Sequence, residues 1–82
     1  MQKNRRHHSA FLKVITTFRL SQKISQKDLA KKLGVSQSFV SKYESGERRL
    51  DLLELLQICF ELNVSLIEFV KEFEKEIDSQ QP

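Results

Sequence analysis

The chain has 82 residues, 39% hydrophobic and 30% charged, the balance of one small packed domain, which excludes a disordered segment or a second domain. No apolar run approaches the roughly 18 residues of a membrane span, and the opening MQKNRRHHSA lacks the apolar core of a signal peptide. The single cysteine, Cys59, cannot form an internal disulfide, so the expected location is the cytoplasm, and the net charge of +3 conceals a sharp division. Residues 1–49 hold twelve Lys/Arg against three acids, whereas residues 50–82 hold two lysines against eight acids. Such a chain has a basic end suited to a polyanion and an acidic end turned away from it.

In chain order, residues 1–8 are expected to be a flexible basic arm, whose Lys3, Arg5 and Arg6 could reach along a nucleic-acid backbone. His7 and His8 have no acid or cysteine beside them, so no metal site is expected. Apolar spacing is helical from there on, with only two glycines and one terminal proline to interrupt it. A first helix is expected over about 9–20, with Leu12, Ile15 and Phe18 inward. Ser25 and Asp28 are expected to form a capping box, hydroxyl to third amide and carboxylate back to the cap amide, for a second helix that buries Leu29, Ala30 and Leu33 and stops at Gly34. Ser36 caps a third helix with Val40 and Tyr43 inward, closed by Ser45-Gly46.

Asp51 and Glu54 form a second capping box, opening a fourth helix through Leu55, Leu56, Cys59 and Leu62, with Asn63 as its left-handed terminator. Ser65 and Glu68 open a last helix to about Ile77, followed by a tail over 78–82. The domain proper is thus 9–77: all-α, a compact five-helix bundle. The Met1 start and polar Asp78–Pro82 ending are those expected of a complete chain with no room for a ligand-sensing domain.

The link Leu33-Gly34-Val35-Ser36 is too short to lay two helices side by side, and it crosses them steeply. That is the helix-turn-helix arrangement, whose second helix enters the DNA major groove by its N-terminal end. Gln37, Ser38, Ser41 and Lys42 lie on the side of that helix where a core gains nothing from them. Gln can bond adenine at two points, Lys suits guanine, and Ser is tolerant. No activated nucleophile, acid pair or phosphate-binding glycine loop supports catalysis or a cofactor.

Over residues 10–70 the chain resembles the Cro/phage-repressor, or xenobiotic-response-element, family of transcriptional regulators, of lambda-repressor-like fold. The resemblance is carried by Ser25-Gln26, Asp28-Leu29-Ala30, Leu33-Gly34-Val35-Ser36-Gln37, Val40-Ser41-Lys42, Glu44-Ser45-Gly46 and Leu62-Asn63-Val64-Ser65. It implies base reading by Gln37, Ser38, Ser41 and Lys42. It implies phosphate contacts from Gln26, Ser36, Phe39, Arg48, Arg49 and Arg19, with Gln26 also bracing the recognition helix. Arg19 and Glu44 match a structural ion pair, and Phe39 stands where many relatives carry a small or polar residue, so a packing role is as open as a DNA contact.

The expected partner is double-stranded DNA with a two-fold operator, bound by a homodimer, with no small-molecule ligand, metal or membrane. The alternative is a protein-interaction module of the same fold without specific DNA binding. Leu53 and Phe60 are seven apart on the fourth helix, and the last helix carries a longer stripe than one small core needs. Leu66, Phe69 and Val70 are expected to close the core, leaving Leu53, Phe60, Phe73 and Ile77 for a partner subunit.

Overall fold

In the computed structural model of the chain, residues 5–79 are described, and they form five helices and no strand. These are α1 (Arg5–Ser21), α2 (Gln26–Leu33), α3 (Gln37–Ser45), α4 (Leu52–Glu61) and α5 (Leu66–Ser79). The bundle measures 38 × 24 × 20 Å, with α1 against α5 and α3, and α2 against α3 and α4.

Local chemistry fixes the element boundaries. The Oγ atoms of Ser25 and Ser36 accept from the backbone N–H groups of Asp28 (3.0 Å) and Phe39 (3.2 Å), each filling one orphan donor of a helix start. Asp51 and Glu54 complete a reciprocal box, with the Glu54 N–H donating to Asp51 Oδ1 (2.7 Å) and the Asp51 N–H donating to Glu54 Oε1 (2.9 Å). Ser65 Oγ accepts from the Glu68 N–H at the start of α5, but this cap and the one at Ser25 are one-sided: the boxes expected there lack the returning carboxylate bond that Glu54 makes. At the other ends, Gly34 (φ 73°), Gly46 (φ 89°) and Asn63 (φ 57°) take the left-handed conformation that turns the chain out of a helix. Lys23 does so as well (φ 58°), with the Ile24 N–H donating back to the Arg19 carbonyl across the end of α1.

The core is built from one stripe of each helix: Ala10, Val14 and Ile15, then Leu29 and Ala30, Val40 and Tyr43, Leu55, Ile58 and Cys59, and Phe69, with Leu62 and Val64 from the last link. Burying the Cys59 thiol pushes its pKa up to about 11, so it is a small core hydrophobe and not a reactive thiolate. Phe11, on the inner side of α1, meets Phe69 edge-on (5.5 Å between centroids) and Phe73 edge-on (6.1 Å). Lys13 and Glu76 strap the same two helices at 3.0 Å on the surface, where such a pair contributes little.

Four expectations change. The basic arm placed over residues 1–8 is helical from Arg5, because nothing between Arg5 and Ser9 breaks a helix; His8 stacks on Phe11 instead of trailing in solvent. Lys3 lies outside the described residues. Phe73, assigned to a partner subunit, is packed on the chain's own core by Phe11, while Val70, assigned to the core, is exposed. Leu56 is likewise exposed, and Ile58 takes the inward place on α4.

The two left-handed glycines differ in their surroundings. A Cβ on Gly34 would meet nothing within 4 Å, whereas one on Gly46 would press on Leu12 Cδ1 at 3.3 Å. Gly34→Ala should therefore cost about 1 kcal/mol from backbone strain alone. Gly46→Ala should cost more, about 2 kcal/mol, as the contact adds to the strain. Denaturant unfolding of both variants checks this, and equal losses would show that Leu12 yields freely.

Candidate nucleic-acid interface

Helix α3 turns Val40 and Tyr43 wholly inward and leaves Gln37, Ser38, Ser41, Lys42 and Ser45 exposed. Glu44, its side chain enclosed, and Phe39, half-buried, sit on its two flanks. Each flank is fixed by an arginine, in two different ways.

On the first flank, Arg19 at the end of α1 forms a two-point bridge to Glu44, Nε to Oε2 at 2.7 Å and Nη2 to Oε1 at 3.0 Å. Its Nη1 donates to the Ile24 carbonyl at 2.7 Å, and Gln26 Nε2 at the start of α2 donates to Glu44 Oε1 at 2.9 Å. The side chains of Arg19 and Glu44 are only 9% and 7% exposed. The hydrogen bonds to Glu44 raise the Arg19 pKa above its ordinary value against the opposing effect of burial. The structural ion pair thus joins α1, α2 and α3, with Gln26 as its third member. In this position Arg19 has little surface left for a phosphate.

On the second flank, Arg48 follows the end of α3. Its Nη1 donates to Glu54 Oε1 (3.1 Å) and to the Arg49 carbonyl (3.0 Å), and its Nη2 donates to Glu54 Oε2 (2.7 Å). The guanidinium lies 4.4 Å from the Phe39 ring centroid, on the ring face. Phe39 in turn meets Tyr43 edge-on at 5.9 Å and packs on the core, so its structural work is to carry Arg48. Hydrogen bonds from Arg48 and from the Asp51 N–H hold the Glu54 carboxyl below the usual carboxylate range. The sequence marked Glu54 only as a cap; its six-residue separation from Arg48 follows no helical period and gave no signal of a pair.

Lys23, Lys27 and Arg49 are exposed basic residues, and the polar side chains on the outer side of α3 are exposed as well. Ser36, which accepts the Phe39 N–H, keeps its own hydroxyl hydrogen to donate outward. Gln37, Ser38, Ser41 and Lys42 thus share the exposed side of α3, Ser36 caps its start, and Arg48, followed by Arg49, is held against it through Phe39. No group of acids, histidines and cysteines suited to a metal exists among the described residues, and no described helix is long and apolar enough to cross a membrane.

The sequence model of the helix-turn-helix family, of Cro/C1 type, matches residues 15–69, which span α2, α3 and the ion pair. The chain belongs to this family. It is a DNA-binding transcription regulator, as its family-mates are, and the family is one of regulators and not of enzymes.

Among solved structures, it is similar to a variant of the restriction–modification controller protein C.Esp1396I at 31% identity, covering 99% of this chain and 100% of that one, with a TM-score of 0.86. It is similar to an XRE-family like protein from Pseudomonas syringae pv. tomato at 36% identity, covering 84% of each chain, with a TM-score of 0.79. The clp gene regulator ClgR from Corynebacterium glutamicum shares the fold at 22% identity, with 90% of this chain and 79% of that one covered and a TM-score of 0.81. Comparison with curated protein sequences gave no significant match.

Glu44→Ala would leave Arg19 enclosed with the Ile24 carbonyl as its one remaining partner, so it should cost about 3 kcal/mol of stability. A melting temperature like the parent's would show that water reaches the pair. The fully buried Tyr43 hydroxyl has no hydrogen-bond partner among the described residues, and burial raises its pKa well above the usual tyrosine value. Tyr43→Phe, which removes an unpaired polar atom, should be neutral or stabilising by up to about 1 kcal/mol. A loss beyond that in calorimetry would reveal a bond to this oxygen.

Proposed function

We propose that the protein binds a two-fold DNA operator as a homodimer, with α3 in the major groove of each half-site. The observation that carries this reading is the exposed polar side of α3, fixed on one flank by the Arg19–Glu44–Gln26 network and on the other by Arg48 over Phe39. Rigid presentation of short polar side chains is what base reading requires. Gln37, Ser38, Ser41 and Lys42 are the readers. Ser36, Arg48 and Arg49 hold phosphates, while Arg19, Gln26 and Phe39 serve by bracing the readers and the clamp.

A second copy is called for by α4. Its inner side, Leu55, Ile58 and Cys59, is covered by the core, but its outer side carries Leu53, Leu56 and Phe60 in one stripe, with Leu53 72% and Phe60 77% exposed. Leu52 beside them, and Ile67 and Val70 on α5, extend the exposed apolar surface. A helix apolar on both sides is suited to burial on both sides. This face belongs to the acidic half of the chain, so a two-fold contact there leaves both α3 helices free to reach half-sites about 34 Å apart. Of the interface residues expected from the sequence, Leu53 and Phe60 remain and Ile77 is marginal, being half-buried; Phe73 passes to the core. The near full-length likeness to a restriction–modification controller protein supports a regulatory role for the chain.

With three basic groups per subunit on phosphates, Arg48, Arg49 and one of Lys23 or Lys27, log K should fall with log salt at a slope of roughly −5 for the dimer on a duplex selected from a random pool. A slope near zero would remove this mode of binding. Gln37→Ala should cost about 1–3 kcal/mol on the selected site and relax one base preference. Arg48→Ala should instead weaken all duplexes alike, since phosphate contacts carry no sequence information. Uniform weakening by both variants would show that reader and clamp have been wrongly divided.

For the interface, a Leu53→Glu/Phe60→Lys variant should sediment as a folded monomer with weakened operator binding. A dimer like the parent's would place the two-fold contact elsewhere.

A further inference from the structure

Arginine has five N–H donors, and in Arg48 three of them are occupied within the protein: two on Nη1 by Glu54 and the Arg49 carbonyl, and one on Nη2 by Glu54. Glu54 therefore holds the guanidinium by its far end, the edge formed by the two terminal nitrogens. The lateral edge, made of Nε–H and the second Nη2–H, makes no hydrogen bond among the described residues. That edge is itself a two-pronged fork matching two oxygens of one phosphate. The ring of Phe39 under the guanidinium at 4.4 Å fixes the plane in which the fork lies. One holder thus comes from α3, beside the readers Ser38 and Lys42, and the other from the first turn of α4, next to Leu53.

We infer that Glu54 is a positioning residue for DNA binding: it aims the lateral fork of Arg48 at one backbone phosphate and restrains Arg48 from pairing with phosphates in other registers. The inference rests on the DNA-binding reading above and adds to it a source of selectivity that touches no base. A free arginine on a flexible loop binds whichever phosphate is near, which strengthens non-specific and operator complexes alike. An arginine half-neutralised and held in one plane gains fully only where the duplex presents a phosphate at that place, which is the register set by correct reading on α3. Because Glu54 also closes the cap of α4, the same carboxylate ties this clamp to the helix proposed to carry the two-fold contact. The distance of the clamp from the dimer axis is then set by a single side chain.

Glu54→Gln separates this role from the cap, because Gln at that helical position still accepts the Asp51 N–H. Measured on the full-length protein, affinity for a random-sequence duplex should rise about three- to tenfold, and the salt slope should steepen by about 1, as Arg48 regains its full charge. Affinity for the selected duplex should rise less or fall, so the ratio of the two drops. A purely capping role would lower the melting temperature and leave ratio and slope as in the parent, and that result overturns the inference. A second measurement needs no DNA: rotation about the Arg48 Cζ–Nε bond, followed by guanidinium NMR, should be slow in the parent and fast in Glu54→Gln. Fast rotation in the parent overturns the inference by itself. A parent protein that fails to distinguish any duplex removes the DNA-binding reading, whereas a discriminating parent with an indifferent Glu54→Gln removes only the role of Glu54.

Discussion

The guanidinium of Arg19 is the constraint on which the rest of the structure depends. It stands at the end of α1 and reaches Glu44 on α3 and the carbonyl of Ile24 in the link to α2, while Gln26 of α2 shares the same carboxylate. A charge this enclosed is costly unless every donor is met, and the pair as a whole need add nothing to net stability. Its consequence is geometric. Any rotation of α3 about its axis, or any slide against α1, would strip the carboxylate from a buried cation, so neighbouring packings of these three short helices are penalised by several times thermal energy. Apolar contacts of Val40 and Tyr43 hold α3 down, but they are not directional enough to choose among such packings.

That fixed orientation gives meaning to the charge division along the chain. The basic half contributes α1 to α3 and the loop after them, and the acidic half contributes α4 and α5. The two halves share one core, yet each presents a different unfinished surface: exposed polar and basic groups around α3, exposed apolar groups on the outside of α4. A small domain gains little by leaving Leu53, Leu56 and Phe60 in water. Acidic residues in the same half of the chain disfavour contact of that surface with a polyanion.

The local signals were strong enough to mark most of the architecture in advance. Every internal helix start carried a Ser or Asp whose oxygen does accept the expected amide, and Gly34, Gly46 and Asn63 do adopt the left-handed conformation their positions implied. The motif around Gly34 marked α3 as the exposed polar helix. Assignments within the last helix were less legible. Phe69, Val70 and Phe73 all fall on the broad apolar side of α5, and a period of 3.6 residues does not say which of three neighbours finds a partner. The choice was made by Phe11, far away in sequence, which takes Phe69 and Phe73 by their edges and leaves Val70 outside. The start of α1 was missed for a related reason: a basic stretch without Gly or Pro carries no stop signal, and the stacking of His8 on Phe11 is visible only in three dimensions. The Arg48–Glu54 bridge joins a loop to a helix start, so no periodicity announces it.

The two arginine flanks also differ in how they respond to the medium that governs DNA binding. Salt weakens phosphate contacts steeply, because binding releases counterions from the duplex. The Arg48–Glu54 pair, with side chains 41% and 27% exposed, lies within reach of that screening. The Arg19–Glu44 pair is enclosed and is screened far less. Salt that screens the exposed pair therefore leaves the orientation of α3 in place. Affinity can then vary with conditions while the geometry of reading does not, a separation that follows from burying one arginine of the pair and exposing the other.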